Sequence, residues 1–208
     1  MTRAMNTKAT TSDVLTFIRP TLSSVDWLRE RLEISAATEG ILDIAYTTID
    51  TPIGAVLLAA TTKGLLRVVF AIEGFDSVLE SLGHKISPRI LKAPKRLDAA
   101  ASALDGYFAG RRTTFELPLD HSLSHGFRLL VHQQLTEIGY GKTKSYQEVA
   151  ALVGSPKASR AVGTACATNP LPIVVPCHRV LRSNGDLGGY AGGLATKEAL
   201  LRLEGARP

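Results

Sequence analysis

The sequence predicts an α+β protein in two parts: a small antiparallel sheet with helices, then a mostly helical region that contains a helix-turn-helix. Three observations carry this reading. Residues 42–70 form three short apolar runs separated by turn residues, and residues 145–168 form two capped helical patterns joined at a glycine. Between them residues 111–126, RRTTFELPLDHSLSHG, show no helical period and include Pro118 and Gly126, as expected of a linker. A chain of 208 residues suffices for two small domains, each with its own core. The expected division is an extension of unassigned role (1–40), a small α/β domain (41–120) and a helix-turn-helix domain (121–208).

The elements follow in order. Residues 1–40 open polar and hold one short helix, Ser24 to Ile34 around Trp27, with a cap-like start. From Ile41 the pattern becomes strands: LDIAYTTI, a turn at Asp50-Thr51-Pro52, GAVLLAA, a turn at Lys63-Gly64, and LLRVVF. Such runs with tight turns make an antiparallel meander. Residues 75–83 and 95–109 are helical, the second with Leu97, Ala101, Leu104 and Phe108 at spacings of three and four before Gly110. Both helices are expected on one face of the sheet. From Phe127 the chain is mostly helical, with no internal repeat.

SYQEVAALVG, residues 145–154, starts with Ser145 and has Glu148 three residues on, a capping box, and ends at Gly154. Ser155-Pro156 then offers an N-cap and a proline at the first helical position, so a second helix should start there. This is a helix-turn-helix by capping chemistry. The second helix, PKASRAVGTACAT, consists of small residues apart from Lys157 at its start and one arginine. At 100° per residue, Ala158, Ala161, Val162, Ala165 and Cys166 share one side, and Arg160, Gly163, Thr164 and Ala167 the other. A face without bulk can press close to a nucleic-acid groove and drive one cation into it, or pack tightly against another helix. Cys166, on the core side, reads as a packing residue.

The composition, 45% hydrophobic and 21% charged, is that of a globular protein. No apolar run approaches the roughly 18 to 20 residues of a membrane helix, and the N-terminus lacks a signal-peptide core, so no membrane association and a cytoplasmic location are expected. The net charge of +5 is uneven: residues 1–120 carry 14 basic and 14 acidic side chains, residues 121–208 carry 10 and 5. A basic half suits a polyanion partner, or serves solubility alone. The two cysteines, Cys166 and Cys177, are expected to stay reduced. With no C-x-x-C and no Cys/His cluster at ligand spacing, neither a metal site nor a cofactor is called for.

Cys177 ends the apolar run of IVVPCHRV, residues 173–180, after the proline-stiffened Asn169-Pro170-Leu171-Pro172. Apolar surroundings raise a thiol's pKa, and it is inert unless a base or dipole favours the thiolate. His178 is the nearest base, yet neighbours in an extended segment point apart, so contact requires a bend or a bridging water.

The strings SYQEVAALVGSPKASRAVGTACATNPLPIVVPCHRV and GYAGGLATKEALLRLEG resemble the O6-alkylguanine-DNA alkyltransferases, the methylated-DNA–protein-cysteine methyltransferases. The resemblance spans about residues 41–205, with TPIGAVLLAATTKGLLRVVF and YFAGRRTTFELPLD in the first domain, which it implies is ribonuclease-H-like. Pro176-Cys177-His178-Arg179-Val180 after a helix-turn-helix is its most specific motif.

The resemblance implies a direct repair protein that binds double-stranded DNA from the minor groove. It flips O6-alkylguanine, or O4-alkylthymine, and takes the alkyl group onto Cys177 once. It assigns His178 as the base that activates the cysteine through a water, Glu204 as its orienting carboxylate, and Asn169 as the link from helix to active-site segment. Tyr146 promotes flipping and contacts the base, Tyr190 is a pocket wall, and backbone groups of Cys177, Val180 and Ala191 read the guanine edge. Arg160 fills the gap in the stack, with Ala158, Ser159, Gly163, Thr164 and Ala167 along the DNA. Arg179 is structural. The protein is expected to be a monomer, with cooperative assembly on DNA left open. Departures from the family pattern are His132 in place of tryptophan, Gly139 in place of the proline before Tyr-Gly, and Ala191 in place of a polar residue. The chain has no cysteine-rich N-terminal stretch like that of the family's inducible regulators, so transcriptional sensing is not expected. Two rivals stand beside this reading: a protein that recognises alkylguanine without transfer, and a helix-turn-helix regulator with a structural cysteine.

Overall fold

GAVLLAA is a continuous apolar run rather than an alternating one, and a strand of that kind is buried on both faces. The computed structural model, which describes residues 27, 28, 31, 32, 35, 36 and 40–206, bears this out. Strands β1 (Ile44–Thr51), β2 (Gly54–Thr61) and β3 (Gly64–Phe70) form the expected antiparallel meander. A short strand β4 (Ile90–Lys92) adds to β1 in parallel, giving the order β3-β2-β1-β4. Its three residues are too few to show a period in sequence.

Alternation along β2 sends Val56, Leu58 and Ala60 to one face and Leu57 and Ala59 to the other. Helix α1 (Phe75–Lys85) covers the second face through Leu82, Val78 and Leu79. Helix α2 (Asp98–Phe108), entered through a 3-10 turn at Pro94–Leu97, covers the first through Leu97, Ala100, Leu104 and Tyr107. The helices thus lie on both faces of the sheet, not on one as expected, because both faces are apolar.

The stretch read as a linker is docked. Leu65 N–H donates to Pro118 O (2.8 Å), and Asp120 N–H to Leu65 O (2.8 Å), so residues 118–120 cover the edge of β3. Gly64 allows this approach: a Cβ there would lie 2.2 Å from Pro118 O. The buried Asp120 accepts hydrogen bonds from Thr61 Oγ1 and from the backbone and hydroxyl of Ser122.

The C-terminal half holds α3 (Gly126–Thr136), β5 (Lys144–Ser145), α4 (Tyr146–Leu152), α5 (Ser159–Ala167), β6 (Val180–Leu181) and α6 (Leu194–Leu203). The capping box at α4 is present, with Glu148 N–H donating to Ser145 Oγ (3.1 Å) and Ser145 N–H to Glu148 Oε2 (2.6 Å). Helix α5 begins later than expected. Ser155 O accepts from Ala158 N–H (2.8 Å), closing a turn over 155–158, and the helix starts at Ser159. The strong start signal of Ser155-Pro156 is used for the turn. On α5, Val162, Ala165 and Cys166 are buried and Ala158 is half-buried, but Ala161, placed on the core side by the helical wheel, is exposed beside Arg160. The two halves do not have separate cores either. One apolar cluster runs from Val56, Leu58 and Tyr107 to Val131, Val162 and Leu200.

Of the helix expected at Ser24 to Ile34, residues 27, 28, 31 and 32 are helical, as are 35 and 36, and Arg31 lies over the Trp27 ring (4.9 Å). Ser24 and Ile34 lie outside the described residues. Among the described residues no helix is long and apolar enough to cross a membrane.

Candidate active site

From the end of α5 the chain runs through Asn169 and a buried turn to Cys177. Val68 N–H of β3 donates to Pro170 O (2.9 Å) and Leu171 O accepts from Val175 N–H (2.7 Å), which pins the turn against the sheet. Ile173, fully buried, has φ 72°, a left-handed conformation unusual for a β-branched residue and a mark of local strain. Residues Cys177–Arg179 form a 3-10 turn, a bend rather than an extended segment. This turn sends Cys177 and His178 to different partners.

Cys177 is 3% exposed, and its Sγ accepts a hydrogen bond from Asn169 Nδ2 (3.1 Å). The same amide nitrogen donates to Val175 O (2.8 Å), while Asn169 Oδ1 accepts from Leu171 N–H (3.0 Å). Asn169 therefore ties the end of α5 to the thiol. Burial pushes the Cys177 pKa up to about 11, against the opposing pull of the Asn169 bond and the Lys197 charge. Cys166 is buried as well, and burial raises its thiol pKa further.

His178 is fully buried, with Nε2 2.8 Å from Glu204 Oε1. The carboxylate sets the tautomer: the hydrogen sits on Nε2, and Nδ1 keeps its lone pair. That Nδ1 is buried and has no hydrogen-bond partner. Burial lowers the His178 pKa despite Glu204, so the ring is a neutral base at pH 7. Glu204 is held more firmly than its expected role requires. It accepts from Arg179 Nη2 (2.9 Å) and Nε (2.8 Å), Tyr107 Oη (2.7 Å) and Gly141 N–H (3.2 Å). Burial raises its pKa, but the bonds from His178, Arg179 and Tyr107 prevail and bring it down to about 2. Arg179 also donates to Ile138 O, in keeping with a structural part for that residue.

Tyr146 opens α4 and packs beside Gly163 of α5, which is half-buried beneath it. A Cβ on Gly188 would lie 2.8 Å from the Tyr146 hydroxyl, so the glycine makes room for that ring. Tyr190 stacks at a tilt on Phe70 (5.5 Å) and meets His178 edge-on (6.4 Å), and its Oη is buried without a partner. Val180 is buried and Ala191 half-buried. On the outer side Arg160, Thr164 and Ala167 are exposed and Ser159 is half-buried.

Sequence reasoning missed Lys197, Tyr107 and Phe70. Lys197 is fully buried, and its Nζ donates to Val180 O (2.6 Å) and Leu187 O, fixing the strand after Cys177. The signal was present: Lys197 and Glu204 fall seven residues apart on the same face of α6 as Leu200 and Leu201. Tyr107 and Phe70 belong to the first half and carried no local sign. Among the described residues no group of His, Cys, Asp or Glu could hold a metal ion.

Fold and site together define a helix-turn-helix protein with a buried cysteine, histidine and glutamate behind the second helix. Residues 44–121 match the family model described as 6-O-methylguanine DNA methyltransferase, ribonuclease-like domain, and residues 126–206 match the corresponding DNA binding domain. The methylated-DNA–protein-cysteine methyltransferase of Methanosarcina barkeri is 41% identical over 159 residues, covering 76% of this chain and 96% of that protein. The constitutive enzyme of that name from Bacillus subtilis is 40% identical over 159 residues, covering 75% of this chain and 92% of that protein. The crystal structure of Mycobacterium tuberculosis OGT in complex with DNA aligns with a TM-score of 0.67 and 38% identity, over 77% of this chain and 92% of that chain. The chain belongs to the methylated-DNA–protein-cysteine methyltransferase family.

Proposed function

We propose that this protein repairs double-stranded DNA directly, taking the alkyl group of O6-alkylguanine, or O4-alkylthymine, onto Cys177 in a single turnover. The observation that carries this is the 3.1 Å bond from Asn169, at the end of α5, to the Cys177 sulfur, which couples the helix that meets DNA to the atom that reacts. The base is flipped out of the stack beneath α5, with Arg160 filling the gap and Ala158, Ser159, Gly163, Thr164 and Ala167 along the groove. Tyr146 and Tyr190 flank the base, and backbone groups of Val180 and Ala191 read its edge.

The chemistry follows from the site. With a pKa of about 11, only about one Cys177 thiol in 10⁴ is ionised at pH 7, so a base must take its proton as the reaction proceeds. His178 Nδ1 is a neutral acceptor, and the anionic Glu204 stabilises the imidazolium that forms. The thiolate attacks the alkyl carbon in line, the carbon–O6 bond breaks, and its electron pair goes to the guanine. The proton passes from His178 to the departing base, leaving guanine and an S-alkyl cysteine. A thioether is not hydrolysed by water, which makes the protein single-use. We propose a monomeric protein working in the cytoplasm, where DNA is accessible.

The test is intact mass after incubation with a duplex carrying O6-methylguanine. The expected result is one added methyl, mapped to Cys177 and absent in Cys177→Ser, which still binds DNA. An adduct on Cys166, or duplex binding without any gain of mass, overturns the proposal.

A further inference from the structure

A cleft of about 710 Å³ opens between the two halves of the molecule, and nothing in the repair chemistry uses it. Four basic side chains line it: Arg67 of β3, Lys85 at the end of α1, and His125 and Arg128 at the start of α3. Arg67 is paired with Glu73 (2.6 Å), whereas Lys85 and Arg128 are exposed and have no carboxylate partner among the described residues. Among the described residues no acid lines the cleft. Helix α1 turns Ser77, Ser81 and Lys85 towards it, one turn apart, and its acids Asp76 and Glu80 are not among the lining residues. The Ser122 hydroxyl donates to Asp120 and the Ser77 hydroxyl to Gly74 O (2.9 Å), so Ser81 is the one of the three lining serines whose hydroxyl is not already engaged in this way. The first turn of α3, eleven residues long, has no side-chain cap on its N–H groups.

The position of the cleft supplies its ligand. Ala167 and Thr168, at the end of α5, form part of its wall, so it begins where the DNA-facing helix stops. The exposed face of α5 offers one cation, Arg160, between small residues. A helix in a groove is flanked by the phosphates of both strands, and affinity for duplex comes chiefly from cations that meet them. We infer that this cleft receives a backbone phosphate of the strand flanking the flipped base, held between Lys85 of the first half and Arg128 of the second. This rests on the DNA-repair reading and extends it: the first domain is part of the DNA interface, not only a support for the pocket. Ammonium and guanidinium are donors a phosphate takes, the Ser81 hydroxyl stands beside them, and the uncapped start of α3 favours the same charge.

The experiment measures binding of an undamaged duplex as a function of salt for the wild type, Lys85→Gln, Arg128→Gln and the double variant, with Ser81→Asp as a variant that puts a negative charge into the cleft. Loss of one phosphate contact makes the slope of log K against log salt shallower by about 0.9. The double variant should show that change, Ser81→Asp should bind more weakly, and the ratio of duplex repair to reaction with free alkylguanine should fall in both. Wild-type slope and affinity in variants that melt like the wild type would overturn the inference. So would a change in self-association with the salt slope intact, which would mark the cleft as a contact between copies. If the wild type itself gains no methyl from duplex, the repair reading fails; if it does and the variants bind normally, only the cleft assignment fails.

Discussion

Replacing Glu204 by glutamine removes one oxygen and one charge from a carboxylate that accepts five hydrogen bonds. Oε1 accepts from His178, Arg179 and Tyr107, and Oε2 from Arg179 and Gly141. A carboxamide can keep one of these sets, and its NH₂ then faces donors at the other. If its oxygen stays with His178, the amide nitrogen opposes Arg179 Nε–H and Gly141 N–H. Arg179 is 5% exposed, so its charge is left buried without a counter-ion. Breaking one side of a buried pair costs about 3–5 kcal/mol.

The proton linkage gives a second route to the magnitude. The Glu204 pKa falls from 4.5 to about 2, and at about 1.4 kcal/mol per pKa unit this is roughly 3 kcal/mol of stability. Because the folded pKa is the lower one, that stability is fully present above pH 4.5 and is lost as the pH falls towards 2. Urea unfolding of wild type and Glu204→Gln across this window is the assay. The variant should be less stable by about 3–5 kcal/mol at pH 7, and the gap should close with acid as wild-type Glu204 becomes protonated. A variant within about 1 kcal/mol of wild type at neutral pH, or a gap independent of pH, would refute the buried-network account.

Two further outcomes follow from the site. Arg160→Ala removes an exposed side chain and no buried contact, so it should slow repair of duplex far more than reaction with free alkylguanine, since flipping costs a few kcal/mol. Equal slowing of both would place Arg160 in the pocket or the fold. Methylation of Cys177 should lower the melting temperature, because the residue is 3% exposed and overpacking a core costs about 1–3 kcal/mol. Equal or higher stability after methylation would show that the pocket has room.

Much of the fold was legible in sequence because its signals are local. The meander is written in apolar runs and turn residues, and α4 in a capping box. What escaped depended on partners distant in the chain. Whether α1 and α2 share a face depends on which sheet face each meets, and Ser155-Pro156 serves a turn as well as a helix start. At the site, the motif pointed to Cys177, His178 and Glu204. It did not reveal that Arg179 and Tyr107 converge on the same carboxylate, the latter from 97 residues away. Lys197 was the readable exception, a lysine in an apolar helical stripe.

The arrangement around Asn169 accounts for why a thiol so hard to ionise suits a single-use protein. An exposed, ionised cysteine would react with any electrophile, whereas burial keeps Cys177 protonated until, on the proposed reading, His178 takes the proton as the reaction proceeds. The Asn169 amide stabilises sulfur charge, but it also holds the Val175 carbonyl and follows directly from α5. On the proposed reading, a shift of α5 on DNA would move the donor that favours the thiolate. His178 is held by an independent set of bonds through Glu204 to Arg179, Tyr107 and Gly141, so the proton acceptor stays fixed while the sulfur's environment responds. On the proposed repair reading, reactivity depends on two supports, one anchored in the joint core of both halves and one in α5, and the second is the one a bound duplex would adjust.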